Sequence, residues 1–104
     1  MGIVVLWSDS AIDELQEIYD YFKLKANKKI ADKISNAIID KTIMLEENPR
    51  MGQREEILKH KYDEIRYLVE GNYKIVYLII DKIVTIATVF DCRQNPKKLK
   101  ETLI

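Results

Sequence analysis

The sequence predicts an α+β domain of two layers, in which a pair of helices packs on one antiparallel sheet. Two observations carry this prediction. Residues 9–47 place apolar side chains at the spacing of amphipathic helices, whereas residues 65–90 form three short apolar runs separated by two-residue turns. One apolar run at residues 2–7 precedes the helices, so the predicted order is β-α-α-β-β-β. The 104 residues are expected to form a single domain, residues 1–104.

The first strand and the first helix are predicted from residues 2–26. Residues 2–7 are apolar and rich in β-branched side chains, which is typical of a short buried strand. A helix over roughly residues 9–26 follows, with Ser10 and Asp13 as the expected cap of its first turn. Its apolar face is expected to consist of Ala11, Leu15, Ile18, Tyr19 and Phe22.

The second helix is predicted to begin after Asn27, whose side chain can cap it. Its apolar stripe is wider than that of the first helix, so we expect it to be the more buried of the two. It should end near residues 47–48, because Pro49 disfavours helical conformation in the residue before it. The short link between the two helices predicts an antiparallel helical hairpin.

Three strands are predicted in the second half, at residues 65–70, 73–80 and 83–90. Gly71-Asn72 and Asp81-Lys82 are the expected hairpin turns, so the three strands should form an antiparallel meander that the first strand joins. The last two strands are apolar on both faces, which predicts cover on both sides. Residues 53–63 are expected to be irregular, and residues 96–103 are expected to form a short helix that begins at Pro96.

Composition excludes several classes of protein. The formal net charge is zero, and only residues 49–104 carry more basic than acidic side chains, so a dedicated nucleic-acid binder is not expected. The apolar runs are too short for a membrane span or a signal peptide, which predicts a cytoplasmic protein without membrane contact. Cys92 and His60 each stand alone, so we expect no disulfide, no metal site and no cofactor. His60 is expected to be a solvated loop residue, and Cys92 a buried structural thiol.

Four stretches of the sequence form a set of motifs that together cover nearly the whole chain in order. They are Trp7-Ser8-x-x-Ala11-x-x-x-Leu15-x-x-Ile18-Tyr19-x-Tyr21, Asn48-Pro49-x-x-Gly52, Ile65-Arg66-x-Leu68-x-x-Gly71-Asn72-Tyr73-Lys74-Ile75-x-Tyr77 and Val89-x-Asp91-x-Arg93-x-Asn95-Pro96-x-x-Leu99. These stretches resemble the RelE/ParE toxin superfamily, and its ParE branch of plasmid stabilisation proteins in particular. The resemblance implies a RelE/ParE-like fold and the role of toxin in a type II toxin–antitoxin pair.

The resemblance implies two different activities. ParE-type toxins bind DNA gyrase and block it without bond chemistry, whereas RelE-type toxins cut mRNA on the ribosome. Cleavage needs a base, a cation at the phosphate and an acid at the leaving oxygen. Lys74 stands where the family usually carries a catalytic Arg, and Leu99 stands where a RelE-type enzyme carries a Tyr. Ile65 and Tyr67 replace its Lys-x-Lys pair, so the ParE-like activity is favoured, with no enzymatic role expected.

Four residues are predicted to contact the target, namely Arg66, Lys74, Arg93 and Asn95. If the chain were instead a ribosome-dependent endoribonuclease, then Arg66, Lys74 and Arg93 would be its catalytic residues. A structural role is also open, since Arg66 can pair with a neighbouring carboxylate such as Glu64 and Lys74 can keep a strand edge soluble.

The expected partners are a cognate antitoxin, in a toxin–antitoxin hetero-oligomer, and either DNA gyrase or the ribosome with its mRNA. The antitoxin segment is expected to fold on binding, with the amphipathic helical hairpin as its groove. A third alternative is a degenerate, non-toxic module that only binds an antitoxin.

Overall fold

The computed structural model describes residues 2–55 and 64–93. The elements in chain order are β1 (Val4–Trp7), α1 (Asp9–Lys25), α2 (Lys28–Ile43), a 3-10 turn (Met44–Glu46), β2 (Gln53–Arg54), β3 (Ile65–Glu70), β4 (Tyr73–Ile80) and β5 (Ile83–Asp91). The five strands form one sheet in the order β1-β5-β4-β3-β2, and the two helices pack on one of its faces. This architecture confirms the predicted two-layer α+β fold. Neither helix is long and apolar enough to cross a membrane.

The sheet is mixed rather than entirely antiparallel. Strands β2 to β5 pair in antiparallel fashion, but β1 pairs with β5 in parallel. Two-residue turns force the antiparallel pairing of β3, β4 and β5, whereas both helices and three strands separate β1 from β5, so no turn dictates its direction. The sequence also missed β2, whose two residues were predicted to be irregular. The sequence of β2 contains no apolar residue that would indicate a strand, because Gln53 and Arg54 are both polar and both exposed.

Both helices begin at a side-chain cap. The Ser8 hydroxyl accepts a hydrogen bond from the Ala11 amide, so Ser8 caps α1 and the predicted cap at Ser10 is wrong. Helix α1 begins at Asp9, and a cap must precede the first helical residue. The prediction for α2 is confirmed, since the Asn27 carboxamide accepts from the Ile30 amide.

The main core lies between the helices and the sheet. Strand residues alternate between the two faces of a sheet, and the helix-side face carries the larger buried cluster. Tyr77 is its largest fully buried side chain. The opposite face carries a smaller cluster around Ile65 and Val76, with Tyr67, Leu78 and Phe90 half-buried beside it. Helix α2 buries four residues and α1 buries only one, which confirms that α2 is the more buried helix.

Strand β5 carries a bulge at Ala87. Tyr77 pairs with Ile86 and Val76 pairs with Thr88, so Ala87 has no partner on β4. The predicted hairpin turns are confirmed, and each contains a residue of positive φ, namely Gly71 at 60° and Asp81 at 55°. The helix predicted at residues 96–103, together with His60, Asn95 and Leu99, lies outside the described residues.

Candidate functional site

Tyr77 organises the turn that follows the helices. Its hydroxyl donates a hydrogen bond to the Pro49 carbonyl at 2.8 Å and accepts one from the Gly52 amide at 3.0 Å. Burial raises the pKa of this phenol, which keeps it protonated as a donor. A Cβ at residue 52 would lie 2.5 Å from the Tyr67 carbonyl oxygen and 2.6 Å from the Tyr77 hydroxyl oxygen. Only glycine therefore fits the position at which the turn crosses Tyr77.

Arg66 holds the same turn from β3. Its Nη1 donates to the Gly52 carbonyl at 2.8 Å, and its Nε donates to Glu64 at 3.0 Å. Arg50 donates two hydrogen bonds to the other side of Glu64, at 2.7 and 2.8 Å. These contacts, led by those from Arg50, lower the pKa of the Glu64 carboxyl. The Arg66 side chain is only 17% exposed, so its guanidinium is occupied by the fold.

Lys74 is engaged on the opposite face of the sheet. Its Nζ lies 2.6 Å from a carboxylate oxygen of Glu55, whose side chain is 4% exposed, and 4.1 Å from the centre of the Tyr67 ring. The Tyr67 hydroxyl donates to the Gln53 side chain at 2.9 Å, which ties the ring to β2. The ammonium group therefore neutralises a buried carboxylate and stacks on an aromatic face.

Arg66 and Lys74 thus contact the segment of residues 49–55 from opposite faces of the sheet. Arg66 is paired across the ladder with Tyr77, on the helix-side face, whereas Lys74 lies on the other face with Tyr67. We call residues 49–55, together with Glu64, Arg66, Lys74 and Tyr77, the 49–55 clasp. The structure does not bring the Arg66 and Lys74 side chains to a common point.

Arg93 lies at the end of β5 and is open to solvent. Its backbone amide and its Nε each donate to the Asp91 carboxylate at 2.8 Å, and Nη2 contacts the second oxygen. These hydrogen bonds lower the pKa of Asp91 to about 2 and raise the pKa of Arg93. The Arg93 side chain is 75% exposed, unlike those of Arg66 and Lys74. The neighbouring Cys92 is exposed as well, so its prediction as a buried thiol is wrong, although its Sγ contacts the Asn72 carbonyl.

A groove of about 530 Å³ opens beside Arg93, between α1 and the end of β5. We call it the α1–β5 groove. It is lined by Glu14, Glu17, Ile18, Tyr21, Phe22, Asn72, Tyr73, Val89, Phe90, Asp91 and Arg93. Burial raises the pKa of Tyr73, which stands at the sheet side of the groove. The groove therefore combines aromatic walls with three carboxylates and one guanidinium.

Glu14 joins the helix to the sheet inside this groove. Its carboxylate accepts hydrogen bonds from the Thr88 hydroxyl at 2.8 Å and from the Val89 amide at 2.9 Å. The bulge at Ala87 turns the Val89 amide away from β4 and toward α1. Sequence reasoning missed Glu14 because a glutamate on an amphipathic helix normally marks the solvent face. It missed Glu55 because a lone acid next to an irregular segment gives no signal of burial.

The chain is similar to known proteins in both sequence and fold. The family model described as the ParE toxin of type II toxin–antitoxin system, parDE, matches residues 5–96. Among solved structures, the chain is similar to one described as the chromosomal ParDE TA system from P. aeruginosa, with a TM-score of 0.71 at 16% sequence identity. That similarity covers 86% of this chain and 96% of the other. At this sequence identity it is a similarity of fold alone. No curated protein matches the sequence.

Proposed function

Since the chain belongs to the ParE toxin family of type II toxin–antitoxin systems, we propose that it inhibits DNA gyrase by binding it. In this proposal the toxin makes and breaks no bond, acts in the cytoplasm and is neutralised by a cognate antitoxin in a hetero-oligomer. The single observation that carries the proposal is the family match over residues 5–96. The arrangement of the basic side chains adds support.

The three cations that a nuclease would need are dispersed. Cleavage by 2′-hydroxyl attack requires a base, a phosphate cation and a leaving-group acid around one scissile bond. Arg66 and Lys74 lie on opposite faces of the sheet, and each is paired with a carboxylate of the 49–55 clasp. Arg93 extends from the end of β5, paired with Asp91. This dispersal favours inhibition by binding over the ribosome-dependent endoribonuclease.

Arg93 is the predicted target-binding residue that the described structure leaves open. Arginine and tyrosine are among the side chains that most often dominate the binding energy of protein interfaces. The Arg93 side chain is 75% exposed and lies at the edge of the aromatic α1–β5 groove. We therefore assign Arg93 the central role in target binding and assign Arg66 and Lys74 supporting roles through the 49–55 clasp.

Gyrase supercoiling with the purified chain tests this proposal. The native chain should inhibit supercoiling in a dose-dependent way, and Arg93→Ala should raise the inhibitory concentration by about tenfold or more. Lys82→Ala is the matched control, because Lys82 is an exposed cation in the turn at the other end of β5. Unchanged supercoiling at saturating toxin would refute the proposal.

Expression in a bacterial host distinguishes the remaining activities. Gyrase inhibition predicts growth arrest with filaments and damaged or relaxed DNA, and co-expression of the antitoxin should restore growth. Ribosome-dependent mRNA cuts with intact DNA would instead establish the nuclease. Normal growth without any antitoxin would identify a degenerate, antitoxin-binding module.

A further inference from the structure

Strand β5 extends beyond the strand that covers its outer edge. β1 ends at Trp7, which is paired with Ile86, whereas β5 continues to Asp91. The first backbone groups of β5 beyond the end of β1 form hydrogen bonds with side chains. The Ser8 hydroxyl donates to the Ala87 carbonyl, and the Glu14 carboxylate accepts from the Val89 amide. The outer edge of β5 beyond Ala87 therefore faces the α1–β5 groove instead of another strand.

The next backbone groups along this edge point into the groove. The Cys92 amide donates to the Asn72 carbonyl, so Cys92 faces β4. Alternate residues of a strand present their backbone groups to the same side, which places the Val89 carbonyl and the Asp91 amide on the outer side with the Val89 amide. Neither group takes part in the ladder between β4 and β5. They form a donor and an acceptor at the spacing that an added strand requires.

The side chains around this edge are apolar with an acidic rim. Tyr21 is 55% exposed although it packs edge-to-face against Phe22, with ring centres 5.0 Å apart. Tyr73 faces it from β4 across the groove. Glu17 lies at the rim and is exposed, and within the described residues it forms no ion pair. Arg93 offsets the charge of Asp91, and the Glu14 carboxylate points to the sheet. The rim of the groove is therefore negatively charged at Glu17.

We propose that the α1–β5 groove binds an extended, basic segment of a protein partner. The segment adds to the outer edge of β5, in line with β1, through hydrogen bonds to the Val89 carbonyl and the Asp91 amide. An aromatic or aliphatic side chain of the segment lies between Tyr21 and Tyr73, and a Lys or Arg of the segment faces Glu17. Addition of a strand supplies affinity through the backbone, and the alternating side chains supply specificity.

This assignment goes beyond gyrase inhibition and does not depend on it. The charge at the rim of the groove selects against acidic segments, because a carboxylate of the ligand at the position of the expected Lys or Arg would face Glu17. The volume of the groove, about 530 Å³, is within the range of protein pockets that bind a small ligand. A partner that uses the groove must therefore be extended and positively charged where it contacts α1.

Titration of the isotope-labelled full chain with a synthetic peptide tests the proposal. The probe is an end-blocked peptide of about six residues in which lysine alternates with phenylalanine and valine, and the matched probe replaces each lysine by glutamate. We expect saturable binding of the lysine peptide, with the largest amide shift at Asp91. Glu17→Lys and Tyr21→Ala should each weaken binding by about tenfold. Asp13→Lys is the matched control, since Asp13 is exposed on the same helix outside the groove and should leave binding unchanged.

Three results would overturn the proposal. Equal binding of the lysine and glutamate peptides would remove the charge selectivity. Amide shifts confined to β1 or to β2 would place the peptide at another edge of the sheet. Contacts from residues 94–104 to Tyr21 in the free protein would assign the groove to the chain itself. Because peptide binding is measured without gyrase, a failed supercoiling assay leaves this test unaffected.

Discussion

The 49–55 clasp and the α1–β5 groove use charged side chains in opposite ways. In the clasp, Arg66 and Lys74 are 17% and 20% exposed, and each is fixed by a carboxylate and by a backbone carbonyl or an aromatic ring. In the groove, Arg93 is 75% exposed and Tyr21 is 55% exposed. Fixed, buried ion pairs specify a conformation, whereas open aromatic and charged side chains are available to a partner.

The comparison separates the residues that identify the fold from those that we propose contact a partner. The clasp contains Pro49 and Gly52 of the Asn-Pro-x-x-Gly stretch, and Arg66, Lys74 and Tyr77 of the hairpin motif. A sequence keeps such residues when it needs the turn at Gly52 to lie against Tyr77, whatever target it binds. Resemblance at these positions therefore predicts architecture, and under our proposal the choice of target depends on the exposed surface around Arg93.

The largest expected effect is the loss of stability in Gly52→Ala. The added methyl group would collide with the Tyr67 carbonyl oxygen at 2.5 Å, and a backbone atom within a sheet cannot move aside easily. Overpacking of this kind costs about 3 kcal/mol or more when the neighbour is rigid. Urea denaturation should show this decrease in the free energy of unfolding.

Gly71→Ala is the matched control for that experiment. Gly71 has a φ of 60° but nothing within 4 Å of the added Cβ, so only the backbone conformation should oppose the change. That conformation costs about 1 kcal/mol in an L-residue. If the two variants lost the same stability, the close approach at Gly52 would not determine the clasp.

Lys74→Met should have a smaller effect on stability, of about 2 kcal/mol. The change leaves the Glu55 carboxylate, 4% exposed, without its lysine, and the figure allows for the partial exposure of Lys74. The double variant Lys74→Met/Glu55→Gln should recover part of the loss, because the buried charge of Glu55 is removed together with that of Lys74. Thermal denaturation of the four proteins measures this coupling.

The same variant separates a structural lysine from a catalytic one. We expect any loss of toxicity in Lys74→Met to follow its loss of folded protein, and Lys74→Arg to retain most of the toxicity. A Lys74→Met protein of native stability that had lost all toxicity would make Lys74 a functional residue and revive the nuclease alternative. The clasp would then contain part of the site.

Sequence alone could predict the elements but not the contacts between distant ones. Helical spacing and paired turn residues are local signals, which is why β3, β4 and β5 were predicted to within one residue. The parallel pairing of β1 with β5 and the two-residue strand β2 depend on tertiary contacts and give no local signal. For the same reason the sequence identified Lys74 as a candidate site residue but could not show that it forms an ion pair with Glu55, on the sheet face opposite the helices.

The smallest expected effect is the pH dependence, below about pH 4, of the stability that Asp91 contributes beside the groove. The hydrogen bonds from Arg93 depress the pKa of Asp91 to about 2, from an ordinary value of 3.8. A depressed carboxyl pKa stabilises the folded state above the ordinary pKa, and that contribution is lost as the pH falls from about 4 through 2. Asp91→Asn should therefore lose stability relative to the native chain at neutral pH, and the difference should disappear toward pH 2. Asp13→Asn controls for the removal of one acidic side chain from an exposed position. A difference between Asp91→Asn and the native chain that stayed constant from neutral pH to pH 2 would mean that the charge of Asp91 does not hold Arg93, and that the guanidinium is oriented by packing alone.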